Sequence, residues 1–246
     1  MTTPRRIGIL GGMGPEATVQ LMARLIAATP AADDADHIPL MIDMNPQVPS
    51  RIARLIEGRG RDPGPVLAAM AMQLERTGAE ALAMPCNTAH YYAPAIRDSV
   101  SIPLLDMVDL SAASAVAQAG PGARIGVLGS PALRRIGIFD AALKRHGGVA
   151  VYPTDQEGLL SAIREIKASG PSEASAATLA AAAADVGSQG ARVQLVACTE
   201  FSLVSGLATA KATIIDTLDV LVQAVVDYSL GRDHNHAQKS RLPRSG

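Results

Sequence analysis

Two cysteines, Cys86 and Cys198, stand in similar surroundings in this 246-residue chain. Each follows an apolar run that predicts a strand, and each precedes a residue type that often begins a helix, Asn87 or Thr199. Backbone N–H groups and the dipole at a helix N-terminus stabilise a thiolate. A structural cysteine would more naturally lie in the middle of a strand. The pattern therefore favours two reactive thiols.

The cysteines occupy matching places in a repeated order of segments. Residues 6–11 (RIGILG) resemble residues 124–129 (RIGVLG), and residues 104–109 (LLDMVD) resemble residues 214–219 (IIDTLD). Each cysteine lies between the two repeated segments of its own half. We infer a duplicated half, and two equivalent halves would bring their sulfurs to face each other across a cleft.

Three chemistries use such thiols. Disulfide redox is one, although it usually relies on a Cys-x-x-Cys spacing. Nucleophilic catalysis needs one cysteine and a base, for which His90 is a candidate because it follows Cys86 by one helical turn. Racemisation needs a base on one face of a carbon atom and an acid on the other, which two facing sulfurs would supply.

The elements that must hold these residues alternate between short β-branched runs and helical patterns, which is typical of parallel sheets covered by helices. The sequence predicts strands at residues 6–10, 38–44, 80–84, 102–105 and 192–197, and helices at residues 15–28, 65–77 and 172–185. Ligands of such sheets bind outside the carboxyl ends of the strands. Polar or glycine-rich segments fall at these ends, at residues 11–15, 45–47, 85–88 and 197–200.

Composition narrows the classes of partner. Apolar residues make up 48% of the chain, the 22 basic and 23 acidic side chains give a net charge of −1, and tryptophan is absent. A nucleic-acid partner is not expected without a basic excess and stacking aromatics. No apolar run reaches the roughly 18 residues of a membrane span, and no secretory signal precedes the first strand, so we expect a cytoplasmic protein. His234 and His236 lack a third ligand, so no metal site is predicted.

Three segments carry a family resemblance: residues 7–18 (IGILGGMGPEAT), 85–90 (PCNTAH) and 197–200 (ACTE). Together they resemble the aspartate/glutamate racemase superfamily, in particular its aspartate racemase branch. The resemblance implies an α/β fold of two similar parallel-sheet domains related by a pseudo-twofold axis, with the active site in the cleft between them. We expect one domain from residues 1–108 plus 214–246 and the other from residues 109–213.

The resemblance also implies roles for individual residues. Cys86 and Cys198 match the pair that moves the α-proton without any cofactor, and the family suggests a homodimer. Met13 and Gly14 in the glycine loop are expected to lie against the substrate, and Glu200 is expected to contact it. Asn87, Thr88 and Thr199 are expected to bind the α-carboxylate and the α-amino group. Arg51 and Lys167 are expected to bind a distal carboxylate. We expect Glu200 and His90 to tune the thiols as well.

Two departures from the family pattern bear on specificity. The stretch that holds the distal-carboxylate arginine matches at Pro49 and Arg51 but not at Ser50 and Ile52. The chain also has Glu200 where the glutamate racemase branch has histidine, which favours the aspartate branch. The expected substrate is therefore a small dicarboxylic amino acid, with aspartate first.

The alternatives are a racemase of another amino acid, with glutamate or a broad range of substrates, and an isomerase or decarboxylase of a small diacid on the same fold. A dinucleotide enzyme is disfavoured, although Gly12, Gly14 and Ala17 fit the fingerprint, because Pro15 lacks an N–H group and Glu16 adds negative charge. A non-catalytic ligand-binding protein is the remaining alternative.

Overall fold

The computed structural model describes residues 3–204 and 212–232. The first half alternates strands and helices in the order β1 (Ile7–Gly11), α1 (Pro15–Ala28), β2 (Leu40–Met44), α2 (Arg51–Leu55), α3 (Gly64–Arg76), β3 (Ala81–Ala83), α4 (Ala93–Arg97) and β4 (Leu104–Leu105). Short 3₁₀ helices occupy Asp34–Asp36 and Thr88–Tyr92.

The second half repeats this alternation. Its elements are α5 (Met107–Ala119), β5 (Arg124–Gly129), α6 (Pro131–Ile136), α7 (Ile138–Arg145), β6 (Val149–Val151), α8 (Gln156–Ser169), α9 (Glu173–Ser188), β7 (Val193–Ala197), α10 (Thr199–Ser202), β8 (Thr213–Asp216) and α11 (Thr217–Ser229).

Each half, over the residues that the structure describes, contains one sheet of four parallel strands. The strand order is β2-β1-β3-β4 in the first sheet and β6-β5-β7-β8 in the second, so the two have the same topology. The predicted fold class, two similar parallel-sheet α/β halves, is confirmed. Because the strands of a sheet are parallel, the segments that follow β1, β2 and β3 all leave from one edge of the first sheet.

Local sequence explains where the helices begin. Pro15 begins α1, where its missing N–H costs no helical hydrogen bond, and Leu21 and Leu25 form its buried face. In the second half Ser172 caps α9 through a hydrogen bond from the backbone of Ser175. The predicted helices at 15–28, 65–77 and 172–185 are thus present, with small differences at their ends.

The predicted strand at residues 102–105 is shorter in the structure, where β4 contains Leu104 and Leu105 alone. Pro103 explains the difference. Its carbonyl accepts a hydrogen bond from the N–H of Leu82, but it has no N–H to continue the ladder. The strand predicted at 38–44 likewise begins two residues later, at Leu40.

Helices α5 and α11 cross between the halves. Helix α5 follows the last strand of the first sheet but packs its buried Val108, Ala112 and Ala115 into the core of the second half. Helix α11 follows β8 of the second sheet but packs Leu218, Leu221 and Val225 against β1 and α1 of the first half. Each half is therefore completed by a helix that follows a strand of the other.

The predicted domain boundaries lie close to these crossings, within the first turn of α5 and within β8, and that division of the chain stays a prediction. His234 and His236 lie outside the described residues. Among the residues that are described, no helix is long and apolar enough to cross a bilayer.

Candidate active site

The glycine loop after β1 is shaped by a close approach of two backbone segments. Gly12 has a φ of +90°, and a Cβ atom there would lie 2.4 Å from the backbone carbon of Asn45. The N–H of Gly12 donates to Oγ1 of Thr18 in α1 at 3.0 Å. The close approach of Asn45 is therefore enough to explain why position 12 is a glycine, and no bound dinucleotide phosphate is needed to explain it. This removes the main support for a dinucleotide enzyme.

Cys86 lies three residues beyond β3, where its N–H donates to the carbonyl of Met84 at 2.8 Å. The chain turns at Asn87 directly into the 3₁₀ helix Thr88–Tyr92. Cys86 is 8% exposed and free of any disulfide. The predicted position at the carboxyl end of a strand is observed, but the segment that follows Cys86 is a 3₁₀ helix.

Cys198 lies at the carboxyl end of β7, the strand that matches β3 in the repeat, and is the N-cap residue of α10. It is 7% exposed and is also a free thiol. Helix α10 contains a single turn, Thr199–Ser202, so its dipole is small. The thiols thus occupy equivalent strand ends of the two halves.

The Cys198 thiol is hydrogen-bonded to a carboxylate. Its Sγ donates to Oε2 of Glu200 at 2.9 Å. Burial raises the pKa of Cys198 well above its usual value, and the negative charge of Glu200 and the hydrogen bond to it raise the pKa further. The sequence-based expectation of a stabilised thiolate is therefore wrong for Cys198, because burial and the neighbouring carboxylate outweigh the short helix and the nearby Lys167.

Lys167, on α8, forms an ion pair with Oε1 of the same Glu200 carboxylate. Burial alone would raise the pKa of Glu200, but the charge of Lys167 and the hydrogen bonds from Cys198 and Lys167 hold that pKa below its usual range. Cys198, Glu200 and Lys167 therefore form one connected group, in which a carboxylate accepts from a thiol on one oxygen and from an ammonium on the other.

Lys167 also approaches the first half of the molecule. A Cβ atom placed on Gly14 would lie 3.8 Å from Nζ of Lys167. Burial lowers the pKa of Lys167, but the Glu200 carboxylate more than offsets this, and smaller contributions from Cys198 and Cys86 act in the same direction. The ammonium thus lies within electrostatic range of both thiols and next to the glycine loop of the first half.

Arg51, the first residue of α2, is turned toward the glycine loop. Its Nη1 donates to the carbonyl oxygens of Val48 and Pro49 at 3.4 and 3.1 Å, and its Nη2 donates to that of Met13 at 3.4 Å. Its Nε is buried and has no hydrogen-bond partner within residues 3–204 and 212–232. The guanidinium is therefore anchored beside the expected substrate segment, and its buried Nε–H group is left without a partner among the described residues.

His90 is held by backbone groups on both ring nitrogens. Its Nε2 accepts from the N–H of Met107 at 3.1 Å, so the proton of the ring lies on Nδ1, which donates to the carbonyl oxygen of Cys86 at 2.9 Å. The ring is 3% exposed. His90 therefore fixes the backbone of Cys86 against the start of α5, and neither nitrogen is available as a base for the thiol.

Asn87 and Thr217 form a buried contact that sequence reasoning missed. Nδ2 of Asn87 lies 2.9 Å from Oγ1 of Thr217, whose hydroxyl donates to the carbonyl of Val196 at 2.9 Å. The signal available in the sequence was the repeat itself, because the position of Thr217 in IIDTLD is taken by Met107 in LLDMVD. At these matching positions one half therefore has a hydroxyl and the other a thioether.

Thr88 begins the 3₁₀ helix after Cys86 and is half-buried, whereas Thr199 begins α10 and is 4% exposed. Each is the first helical residue after its cysteine, but Thr88 lies two residues after Cys86 and Thr199 one residue after Cys198. Over the described ranges, no group of three or more His, Cys, Asp or Glu side chains could hold a metal ion.

A two-part parallel α/β fold with a free thiol at matching strand ends is the arrangement that the sequence resemblance implied for an amino-acid racemase. The chain belongs to the Asp/Glu/Hydantoin racemase family, whose model matches residues 10–225. The resemblance drawn from the three sequence segments is therefore confirmed.

The relatives of the chain agree with this family. The broad specificity amino-acid racemase RacX of Bacillus subtilis (strain 168) is 28% identical over 225 residues, which cover 89% of this chain and 96% of RacX. The aspartate racemase of Picrophilus torridus superposes with a TM-score of 0.80 and is 27% identical, covering 92% of this chain and 94% of its own. The glutamate racemase of Francisella tularensis, 14% identical with a TM-score of 0.64 over 96% of this chain and 85% of its own, shares the fold.

Proposed function

We propose that the protein is a cofactor-independent racemase of a small dicarboxylic amino acid, with aspartate as the first candidate. The observation that carries the proposal is the buried Cys198 thiol, hydrogen-bonded to Glu200, at the strand end equivalent to that of Cys86. A thiol held protonated on one half and a second thiol on the other half are what a two-base proton transfer requires.

In one direction, the thiolate of Cys86 removes the α-proton. The Cα–H bond breaks, an S–H bond forms on Cys86, and the electron pair is delocalised into the α-carboxylate. The S–H proton of Cys198 then passes to the opposite face of the carbon, which leaves a thiolate on Cys198. In the other direction the two sulfurs exchange roles, and donors aimed at the developing negative charge stabilise the intermediate in both.

Burial and Glu200 together favour the protonated form of Cys198. Since both raise the pKa of this thiol, Cys198 is proposed to rest as the acid, and the role of base in the first proton transfer is assigned to Cys86. When Cys198 acts as the base, it does so as the thiolate that the forward transfer leaves behind. Glu200 is thus proposed to hold the thiol proton in place through its hydrogen bond, while it stays ionised itself.

Asn87, Thr88 and Thr199 are proposed to bind the α-carboxylate and the α-ammonium group. Asn87 presents its Nδ2 to Thr217, and its Oδ1 is buried with no partner among the described residues. An unpaired buried amide oxygen is costly, and an ammonium donor from a ligand would satisfy it. This supports the amino-group end of the proposed binding mode.

Arg51 and Lys167 are proposed to bind the distal carboxylate, next to Met13 and Gly14. Nε of Arg51 is a buried donor without a partner in the part of the chain that is described, and the ammonium of Lys167 has three donors, of which Glu200 takes one. A second carboxylate of the substrate in this position would accept hydrogen bonds from the free donors of both side chains. Their approach from opposite halves suits a substrate that spans the cleft.

The chemistry of Lys167 supports proton transfer without a Schiff base. A nucleophilic amine must be unprotonated, whereas the pKa of Lys167 is raised because Glu200 outweighs the effect of burial. Lys167 is therefore suited to bind an anion.

A broader substrate range is the second candidate, and Ile52 favours it. Where the family stretch has threonine beside the distal-carboxylate arginine, this chain has an apolar side chain. The similarity to a broad specificity racemase points the same way. Chiral chromatography of a panel of L-amino acids, with no added cofactor, tests both candidates. Turnover of aspartate above all others supports the first, similar rates for apolar or basic amino acids support the second, and no turnover would refute both.

A homodimer is proposed as the assembly. Large apolar side chains are exposed on α1 and on the edge strand β2, namely Val19 and Ile26 on the helix and Ile42 and Met44 on the strand. A second copy of the chain that packed on α1 and on the edge strand β2 would cover them. Light scattering coupled to gel filtration measures the assembly, and an Ile26→Lys variant that leaves a dimer intact would place the contact elsewhere.

A further inference from the structure

Thr217 lies where the halves meet. It is the first residue of α11, directly after β8, and it is completely buried. Strand β8 belongs to the second sheet, while the rest of α11 packs on the first half. A side chain at this position can contact the segments that carry both cysteines.

The hydrogen bonds of Thr217 have a defined direction. A hydroxyl has one proton, and the carbonyl of Val196 can only accept, so the Thr217 hydroxyl donates to Val196. The same oxygen must then accept from Nδ2 of Asn87. Asn87 follows Cys86 directly, and Val196 precedes Cys198 by two residues. One hydroxyl thus joins the backbone of one cysteine segment to the side chain next to the other cysteine.

The neighbouring Asp216 reinforces this junction. Its Oδ1 accepts from Oγ of Ser202, at the end of α10, at 2.8 Å, and its Oδ2 accepts from Nη1 of Arg24 on α1 at 2.8 Å. Helix α10 carries the segment after Cys198, and α1 follows the glycine loop. Asp216 and Thr217, where β8 passes into α11, therefore contact elements of the site from both halves.

We propose that the Thr217 hydroxyl is a positioning group that fixes the segment of Cys86 relative to the strand of Cys198, an inference that rests on the proposed two-thiol racemisation. Inversion requires the two sulfurs to lie on opposite faces of one carbon. A displacement of about 1 Å of a reacting group can cost about 100-fold in rate. A carbanion formed beside a displaced acid is reprotonated more often from the face that lost the proton.

The test compares inversion with exchange of the α-proton. Wild type and Thr217→Val are incubated with the best L-amino acid of the panel in D2O. Inversion is followed by chiral chromatography, and deuterium in the remaining substrate by NMR. Valine keeps the shape of threonine and removes the hydroxyl. We expect inversion to fall about 10-fold or more, and the ratio of exchange to inversion to rise several-fold.

Two further variants separate positioning from a loss of stability. Thr29→Val removes a buried threonine hydroxyl that also donates to a backbone carbonyl, that of Leu25, at the far end of α1, about 20 Å along the helix from the glycine loop. Thr29→Val should therefore keep the wild-type ratio of exchange to inversion and, per folded molecule, the wild-type rate of inversion. Thr217→Ser restores the hydroxyl and should return inversion to within about 3-fold of wild type.

The inference is overturned if Thr217→Val has the wild-type ratio of exchange to inversion, or if it loses both activities in proportion to its folded fraction. It is also overturned if Thr217→Ser has a ratio as high as that expected of Thr217→Val. These outcomes leave the proposed function intact if Cys86→Ser and Cys198→Ser are inactive. A wild-type protein that inverts no amino acid of the panel overturns the proposed function, and this inference with it.

Discussion

The Cys198 sulfur donates a hydrogen bond to Oε2 of Glu200, 2.9 Å away, while Lys167 binds the other oxygen of the same carboxylate. The carboxylate is shared between a thiol that it keeps protonated and an ammonium that keeps it ionised. This arrangement stores one proton on the second half of the molecule, next to the place where the proposed substrate carbon lies.

Replacing Glu200 by glutamine should lower the pKa of Cys198. The substitution removes the negative charge and the charged acceptor that raise the pKa of the thiol, and it leaves the positive charge of Lys167, which lowers it. In a Cys86→Ser background Cys198 is the sole cysteine, so thiolate absorbance near 240 nm against pH reports its titration. Glu165→Gln, on the exposed face of α8, is the control. A titration at the same or a higher pH would contradict the proposed role of Glu200.

Cys86→Ser and Cys198→Ser should each reduce racemisation by at least about 100-fold, because a serine hydroxyl is a much poorer acid–base group than a thiol at neutral pH. One-sided exchange of the α-proton can persist where the remaining thiol still acts as a base. NMR in D2O and chiral chromatography on the same samples measure exchange and inversion separately. Rapid inversion by either variant would exclude the two-thiol mechanism.

The Glu200–Lys167 pair should make stability depend on pH in the acid range. A carboxylate whose pKa is depressed in the folded state contributes stability above its unfolded pKa, and this is lost as the pH falls through the folded pKa. Relative to Glu200→Gln, the wild-type Tm should therefore fall as the pH is lowered from about 5 to about 3. Calorimetry at several pH values measures the difference, and a constant difference over this range would contradict the ion pair.

Gly12→Ala should be more destabilising than a matched substitution at another glycine of positive φ. At Gly58, with a φ of +69°, a Cβ atom would meet nothing within 4 Å, so Gly58→Ala should cost about 1–2 kcal/mol of backbone strain. At Gly12 the same backbone strain applies, and in addition the Cβ atom would clash with the backbone of Asn45 at 2.4 Å. We expect at least about 3 kcal/mol of lost stability by urea unfolding. Equal losses in the two variants would contradict the close approach.

Local signals in the sequence predicted the elements that hold the site. An apolar run followed by a polar segment marks the carboxyl end of a buried strand, which located Cys86, Cys198 and the glycine loop without any tertiary information. Pro15 similarly identified the first residue of α1. These signals are reliable because strand ends and helix starts are set by neighbouring residues.

Contacts between distant segments could not be predicted in the same way. The bond from Thr217 to Asn87 joins residues from different halves, and the pairing of Lys167 with Glu200 depends on the packing of α8 against α10. The pKa of Cys198 was predicted in the wrong direction for the same reason, because burial and the carboxylate of Glu200 outweigh the single turn of α10. Sequence spacing also suggested His90 as a base, but the backbone of Met107 occupies the nitrogen that would accept a proton.

The exchange of α5 and α11 between the halves links their folding. If the second half unravelled, α11 would lose its anchor at β8, and the apolar face formed by Ile7, Ile9 and Leu21 would become exposed to water. If the first half unravelled, α5 would lose its anchor at β4, and Val127 and Phe139 of the second half, which α5 covers, would become exposed. Heat or denaturant should therefore melt the molecule in one cooperative step, and neither half is a self-sufficient folding unit that could be excised and expressed alone.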